Sequence, residues 1–124
     1  MLKKEELLAK MRDERVVVIN VLPKSAFQKL HIKGSENIPL TEDHQAFTVE
    51  VLKTHGKDKD FVTYGHHFGL LDSYEASAAL IAGGLKAQNY SGGMQDWFAA
   101  GYPSEGSTVV LREPAPPANP PSFQ

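Results

Sequence analysis

Two short runs of β-branched and aromatic residues, Val16-Val17-Val18-Ile19 and Phe61-Val62-Thr63-Tyr64, constrain this chain more than any other feature. Neither contains a charged side chain, and neither shows the apolar/polar alternation of a strand with one wet face. Such runs belong to strands covered on both sides. The segments around them have helical spacing. Leu2, Leu7, Leu8 and Met11 share one side of a helix expected to end around Asp13 and Glu14. Pro23 to Leu30 reads as a short helix begun by proline, and His44 to His55 as a longer one with Phe47, Val51 and Leu52 inward and Gly56 as its cap. Ser73 to Ile81 is alanine-rich and helical and is stopped by Gly83-Gly84. Leu85 to Tyr90 reads as a third strand, and Met94 to Ala100 as a last short helix. Strands and helices in this rhythm predict an α/β fold, a central parallel sheet with helices on both faces.

Of the 124 residues, 41% are hydrophobic and 23% charged, the composition of one ordinary globular domain. That domain is expected to occupy residues 1–112. The remainder, 113–124, is proline-rich and is expected to stay outside the fold without packed structure. The PxxP spacing of Pro114 to Pro117 also fits an aromatic-lined groove, but the pattern is short and common. The formal charge is −2 and the two signs are interspersed, so no phosphate-tracking surface for nucleic acid is expected. No apolar run approaches a membrane span or a signal peptide, so neither membrane insertion nor export is expected and the cytoplasm is the expected compartment. The chain has no cysteine. Disulfides, thiolate metal sites and thiol nucleophiles all need that sulfur and are excluded together.

Three stretches carry a resemblance. The first is Val17-Val18-Ile19-Asn20-Val21, then Phe27, then His31-Ile32-Lys33-Gly34-Ser35-Glu36-Asn37-Ile38-Pro39. The second runs from Val62-Thr63-Tyr64 through Ser73, Ala76, Ala79 and Leu80 to Gly84. The third is Tyr90-Ser91-Gly92-Gly93-Met94 with Trp97 and Ala100-Gly101-Tyr102-Pro103. Together they resemble the rhodanese-homology family over roughly Glu5 to Pro103. Read alone, Gly34 and Pro39 suit a tight turn, Gly92-Gly93 permits positive φ, and Trp97 is a core residue with a polar indole edge.

The resemblance implies a loop after the second strand that curls into a helix N-terminus, where its N–H groups form an anion cradle beneath a cysteine nucleophile. Here the position after Tyr64 is Gly65, and no residue of His66-His67-Phe68-Gly69-Leu70-Leu71-Asp72 offers a thiol. The loop has no Lys or Arg for an anionic donor. At the corner where the family usually carries Asp and Arg, this chain has Asn20 and Leu22. The expectation is therefore a non-catalytic module whose ligand-binding residues are Gly65, His66, His67, Phe68, Gly69, Leu70, Leu71, Asp72 and Ser73. It would recognise a small anion or a protein partner, without cofactor or metal.

Other readings of the same residues are weaker. Adjacent histidines are expected to diverge instead of converging on a metal that needs three or four ligands. Asp72 or Ser73 next to a histidine could form a nucleophile and base for hydrolase or phosphatase-like chemistry, but at a helix start either residue is ordinarily an N-cap. His31 is expected to be a hydrogen-bonded structural residue, and His44 and His55 to lie on or beside a helix surface. Two placements are open for Phe68, Leu70 and Leu71: outward, as contact surface for a partner, or folded in.

Overall fold

A computed structural model of the chain describes residues 1–112. The proline-rich tail, and the expectation drawn for it, lie outside the described residues. The elements run α1 (Lys4–Lys10), β1 (Val16–Asn20), α2 (Lys24–Lys29), β2 (His31–Ile32), β3 (Glu36–Asn37), α3 (His44–His55), β4 (Asp60–Tyr64), α4 (Asp72–Ala82), β5 (Lys86–Tyr90), α5 (Gly93–Ala99), β6 (Ser104–Glu105) and α6 (Ser107–Arg112).

The two apolar runs become the adjacent central strands of a four-stranded sheet of order β3-β1-β4-β5, with every pairing parallel. Alternate residues of β1 and β4 point to opposite faces. Ile19, Val21 and Phe61 pack with Phe47 and Val51 of α3 and with Ala76 and Leu80 of α4. Val18, Val62 and Tyr64 pack with Leu7 of α1 and with Met94 and Trp97 of α5. Trp97 is fully buried and its indole N–H donates to the Pro103 carbonyl at 2.8 Å, so this large side chain leaves no unpaired donor.

Several element ends differ from expectation. Helix α1 stops at Lys10, short of Asp13 and Glu14, because the Asp13 carboxylate accepts from the Arg15 N–H at 2.9 Å and turns the chain into β1. Strand β5 starts at Lys86. Leu85 instead donates to the Leu80 carbonyl at 3.0 Å, the long bond that closes α4 while Gly84 sits at φ 89°. The pairs β2 with β6 and β3 with β1 each join two residues a side, too short to show as a run.

The corner at the end of β1 is held by amides where a charged pair was expected to be lost. Asn20 is buried, its side-chain oxygen accepts from the Leu22 N–H at 2.9 Å, and its amide donates to the Tyr64 hydroxyl at 2.9 Å. The Ile32 N–H also donates to that hydroxyl at 2.9 Å. Both phenolic lone pairs are then in use, so the Tyr64 proton goes to Ser35 Oγ, 2.8 Å away, which in turn donates to the Ile32 carbonyl at 2.7 Å. One oxygen thereby ties the end of β4 to β1 and to the segment leading into β3.

Replacing Tyr64 with Phe strands the Asn20 amide and the Ile32 N–H, and is expected to cost ~2 kcal/mol or more in urea denaturation. Burial raises the pKa of Tyr64 above the ordinary 10.0, against the pull of its hydrogen bonds with Ser35, Asn20 and Ile32. Burial and the hydrogen bond to Asp96 raise that of Tyr90 further. The folded chain keeps protons that the unfolded chain releases near pH 10. Stability is thus fully present below that pH and declines as pH rises through it toward the folded values. A urea midpoint that falls across this window, and falls less in Tyr90→Phe, is the expected result.

Candidate functional site

From β1 the chain moves to β3 on one side, and then to β4 on the other. The order reverses between β1 and β4, and the crevice outside their carboxyl ends is where open α/β sheets bind ligands. Asn20 and Tyr64 are the last residues of these strands, and the loop from Gly65 to Leu71 leaves from that edge.

Both ends of the loop are anchored. The Gly65 and His66 carbonyls accept from the N–H groups of Met94 and Gln95, each at 2.8 Å, so the first turn of α5 is capped by the loop backbone. Gly93 makes this approach possible: it sits at φ 66°, and a Cβ there would lie 2.7 Å from the Gly65 oxygen. Its neighbour Gly92 has φ −61°, so only one of the two glycines uses the positive φ expected of the pair. At the far end, Thr63 Oγ1 donates to the Ser73 carbonyl at 2.6 Å and holds the start of α4 against β4. Between the anchors Gly69 turns the chain at φ 92°.

The capping expectation for Asp72 and Ser73 is corrected. Leu71 is the N-cap residue, without a side-chain cap; its carbonyl accepts from the Glu75 N–H at 2.8 Å. Asp72 opens the helix, where its carboxylate complements the positive end of the backbone dipoles. Ser73 is buried. Phe68 and Gly69 form a hydrogen-bonded turn, while the N–H groups of His66, His67, Phe68, Gly69, Leu71 and Asp72 donate to no acceptor among the described residues.

The side chains divide between directions. The rings of His66 and His67 lie alongside one another, centroids 6.4 Å apart at 27°, and do not diverge as expected. Both line a groove of about 580 Å³ between α2 and α5, with Lys29, Met94 and Phe98. His67 donates from Nδ1 to the Phe68 carbonyl, which fixes its hydrogen on that nitrogen and leaves Nε2 as the acceptor of the neutral ring. Neither histidine bonds a hydroxyl, and no three His, Asp or Glu groups gather among the described residues.

The remaining histidines are apart from the loop. His31 stacks on Phe27 with centroids 3.7 Å apart and engages the Phe27 carbonyl at 2.7 Å. His44 is exposed on α3. His55 is more enclosed than a surface position, with Nε2 3.0 Å from the Glu36 carboxylate and its ring edge-on to Phe61.

Phe68, Leu70 and Leu71 are 53%, 46% and 64% exposed, which decides between their two placements in favour of the outward one. Phe68 borders the N-terminal segment, while Tyr74, 59% exposed, lies one turn beyond Leu71 in α4. The sequence reading missed Tyr74 and a groove of about 600 Å³ that it lines with Val49 and Ala78, between α3 and α4. The signal was the spacing Tyr74, Ala78, Ala82, a second stripe hidden in an alanine-rich helix whose other face fills the core.

A parallel sheet that reverses its order beside a loop pinned between two helices defines an α/β domain built to present that loop. The family model for the rhodanese-like domain matches residues 3–100, and the chain belongs to that family. No curated protein matches the chain. Among solved structures it is similar to the BH2092 protein of Bacillus halodurans, at 21% identity over 84% of this chain and 74% of that one, TM-score 0.74. It is also similar to the rhodanese-like domain of the Alr3790 protein from Anabaena sp., at 20% identity over 97% and 88%, TM-score 0.72. A protein from Saccharomyces cerevisiae matches at 24% identity over 78% and 87%, TM-score 0.61. At these identities the likeness is one of fold. No helix among the described residues is long and apolar enough to cross a membrane.

Gly93→Ala tests the anchoring of the loop. An alanine there is strained by its φ and collides with the Gly65 carbonyl, so a loss of more than ~1 kcal/mol is expected by urea denaturation. The amide resonances of residues 65–69 should shift with it. A neutral substitution would show that α5 does not position the loop.

Proposed function

We propose that this rhodanese-like domain is a non-catalytic binding module, and that the loop from Gly65 to Asp72 recognises a protein partner. The observation that carries the reading is the loop's composition in place: pinned ends, apolar side chains outside, and no thiol within. Phe68, Leu70, Leu71 and Tyr74 give apolar area of the kind that interfaces cover. Loop N–H groups without a protein acceptor, among them those of His66, His67 and Asp72, give the partner's carbonyl or carboxylate oxygens a place to bond.

A small anion alone is the weaker ligand. No Lys or Arg occurs between Lys59 and Lys86, while Asp72 and Glu75 stand at the start of α4. The donors at the start of α4 face these acids, and the cations around the loop, Lys29 in the groove with His66 and His67 and Lys3 and Lys4 in the hollow bordered by Phe68, come from α1, its approach and α2. Hydrolysis through a serine nucleophile finds no support either, since neither loop histidine bonds a hydroxyl.

The deciding assay is cyanide-dependent formation of thiocyanate from thiosulfate. The chain is expected to stay at the blank, and activity in it would overturn the proposal. Gly65→Cys serves as the positive control, because a Cβ at Gly65 meets only the Leu22 side chain, at 3.8 Å, and the variant should fold with an unchanged melting curve. In parallel, a Leu70→Ser/Leu71→Ser variant should remain folded and lose the partner that the parent retains.

A further inference from the structure

We propose that the groove between α3 and α4 is a docking site for a basic amphipathic helix of a partner protein, its lysine or arginine end lying toward the loop. The inference rests on the protein-binding reading above and names the chemistry of the partner.

The groove is built for a helix. Helices α3 and α4 both begin at the carboxyl edge of the sheet and run in the same direction away from it. Thr48 lies on the groove floor with Oγ1 3.2 Å from both the Ala79 carbonyl of α4 and the His44 carbonyl of its own helix, so its one proton is shared between the two helices. Above that floor stand Val49, 60% exposed, and Tyr74, with Ala78, Ala82 and Gly83 between and beyond them. Small residues flanked by two large apolar ones leave a channel into which a ridge of side chains can settle. From Leu71 to Ala82 the surface runs about 16 Å, three turns of helix. It is continuous with the loop, because Leu71 precedes Tyr74 by one turn.

Charge selects the partner. Glu42 and Asp43 precede α3, and Asp72 and Glu75 occupy the first turn of α4, so acids of both helices collect at the loop end. The cation Lys53 is in the last turn of α3, at the other end. Helix α4 itself carries no Lys or Arg. An acidic helix would meet like charge at the loop end, whereas a basic one is both attracted and set in one direction along the groove.

The test uses the full chain, labelled with 15N, and two synthetic amphipathic peptides that share a leucine stripe and differ only in having lysine or glutamate on the polar face. The lysine peptide should perturb the amides of Val49, Tyr74, Ala78 and Ala82, and the glutamate peptide should bind at least about tenfold more weakly, the difference shrinking with salt. Ala78→Arg keeps helix propensity at an exposed position and fills the channel, so it should fold normally and abolish these shifts. Glu75→Gln should weaken binding of the lysine peptide alone. Equal binding of the two peptides would overturn the proposal. So would concentration-dependent shifts of the same amides without peptide, which would give the groove to a second copy of the chain. Shifts confined to residues 65–71 would sink the groove and leave the loop reading standing. Shifts in the groove with Phe68, Leu70 and Leu71 unmoved would uphold the groove and count against the loop.

Discussion

The Tyr64 hydroxyl is the point on which the working edge of this sheet depends. A buried phenol costs stability unless its oxygen is fully used, and here it is, by two donors and one acceptor drawn from β1, β2 and the turn into β3. The consequence is positional. The Asn20 bond fixes the end of β4 to β1, the Ile32 and Ser35 bonds fix it to β2 and the turn that follows, and the end of β4 is where the loop begins. Asn20 completes the arrangement: in this apolar setting a neutral amide can bridge Tyr64 and the Leu22 N–H without the desolvation a carboxylate would bring. The departure from the family's charged corner is thus accommodated by local bonding and leaves the geometry of the edge intact.

From that fixed edge the loop is set by backbone, not by side chains. Two of its carbonyls cap α5, and a threonine holds the helix that follows, so residues 65 and 73 are placed whatever lies between. A glycine after Tyr64 fits this frame because nothing in it requires a side chain at Gly65; a Cβ there would find ordinary contact and no collision. Gly93 differs, since its hydrogen is what lets the loop backbone approach α5. The frame thus tolerates loss of a nucleophile far better than loss of that glycine. The anchored backbone can be kept while its chemistry changes.

How much of this was legible in the sequence follows from which features are local. The runs at Val16 and Phe61, the helix at His44 and the stop at Gly83-Gly84 are local patterns of burial and propensity, and each appears where the pattern put it. Strands β2, β3 and β6 are made by pairing partners distant in sequence and have no periodicity of their own. The cap of α4 was misread for a similar reason. Ser73 has the chemistry of an N-cap, but Thr63, ten residues away, takes its carbonyl and turns it inward, leaving Leu71 to end the loop. At the site, the missing thiol and the loop residues could be read directly. The alongside histidines, the outward leucines and the α3/α4 groove could not, because they depend on how separate elements meet.

The charge around the loop decides what its free donors can be used for. An N–H group binds an oxyanion well when the surrounding field is positive, through cations or through a helix end left uncompensated. Here the end of α4 is already complemented by Asp72 and Glu75, while the cations around the loop, Lys29 with His66 and His67 and Lys3 and Lys4 with Phe68, belong to other elements. The same donors remain suited to a peptide carbonyl, which carries no net charge to be repelled and gives up less hydration on burial. A protein segment also covers Phe68, Leu70 and Leu71 as it bonds, so the apolar and polar parts of the surface are satisfied by one ligand. That joint satisfaction favours a partner chain over a free anion, and the acids that disfavour the anion are the ones that would attract a basic helix.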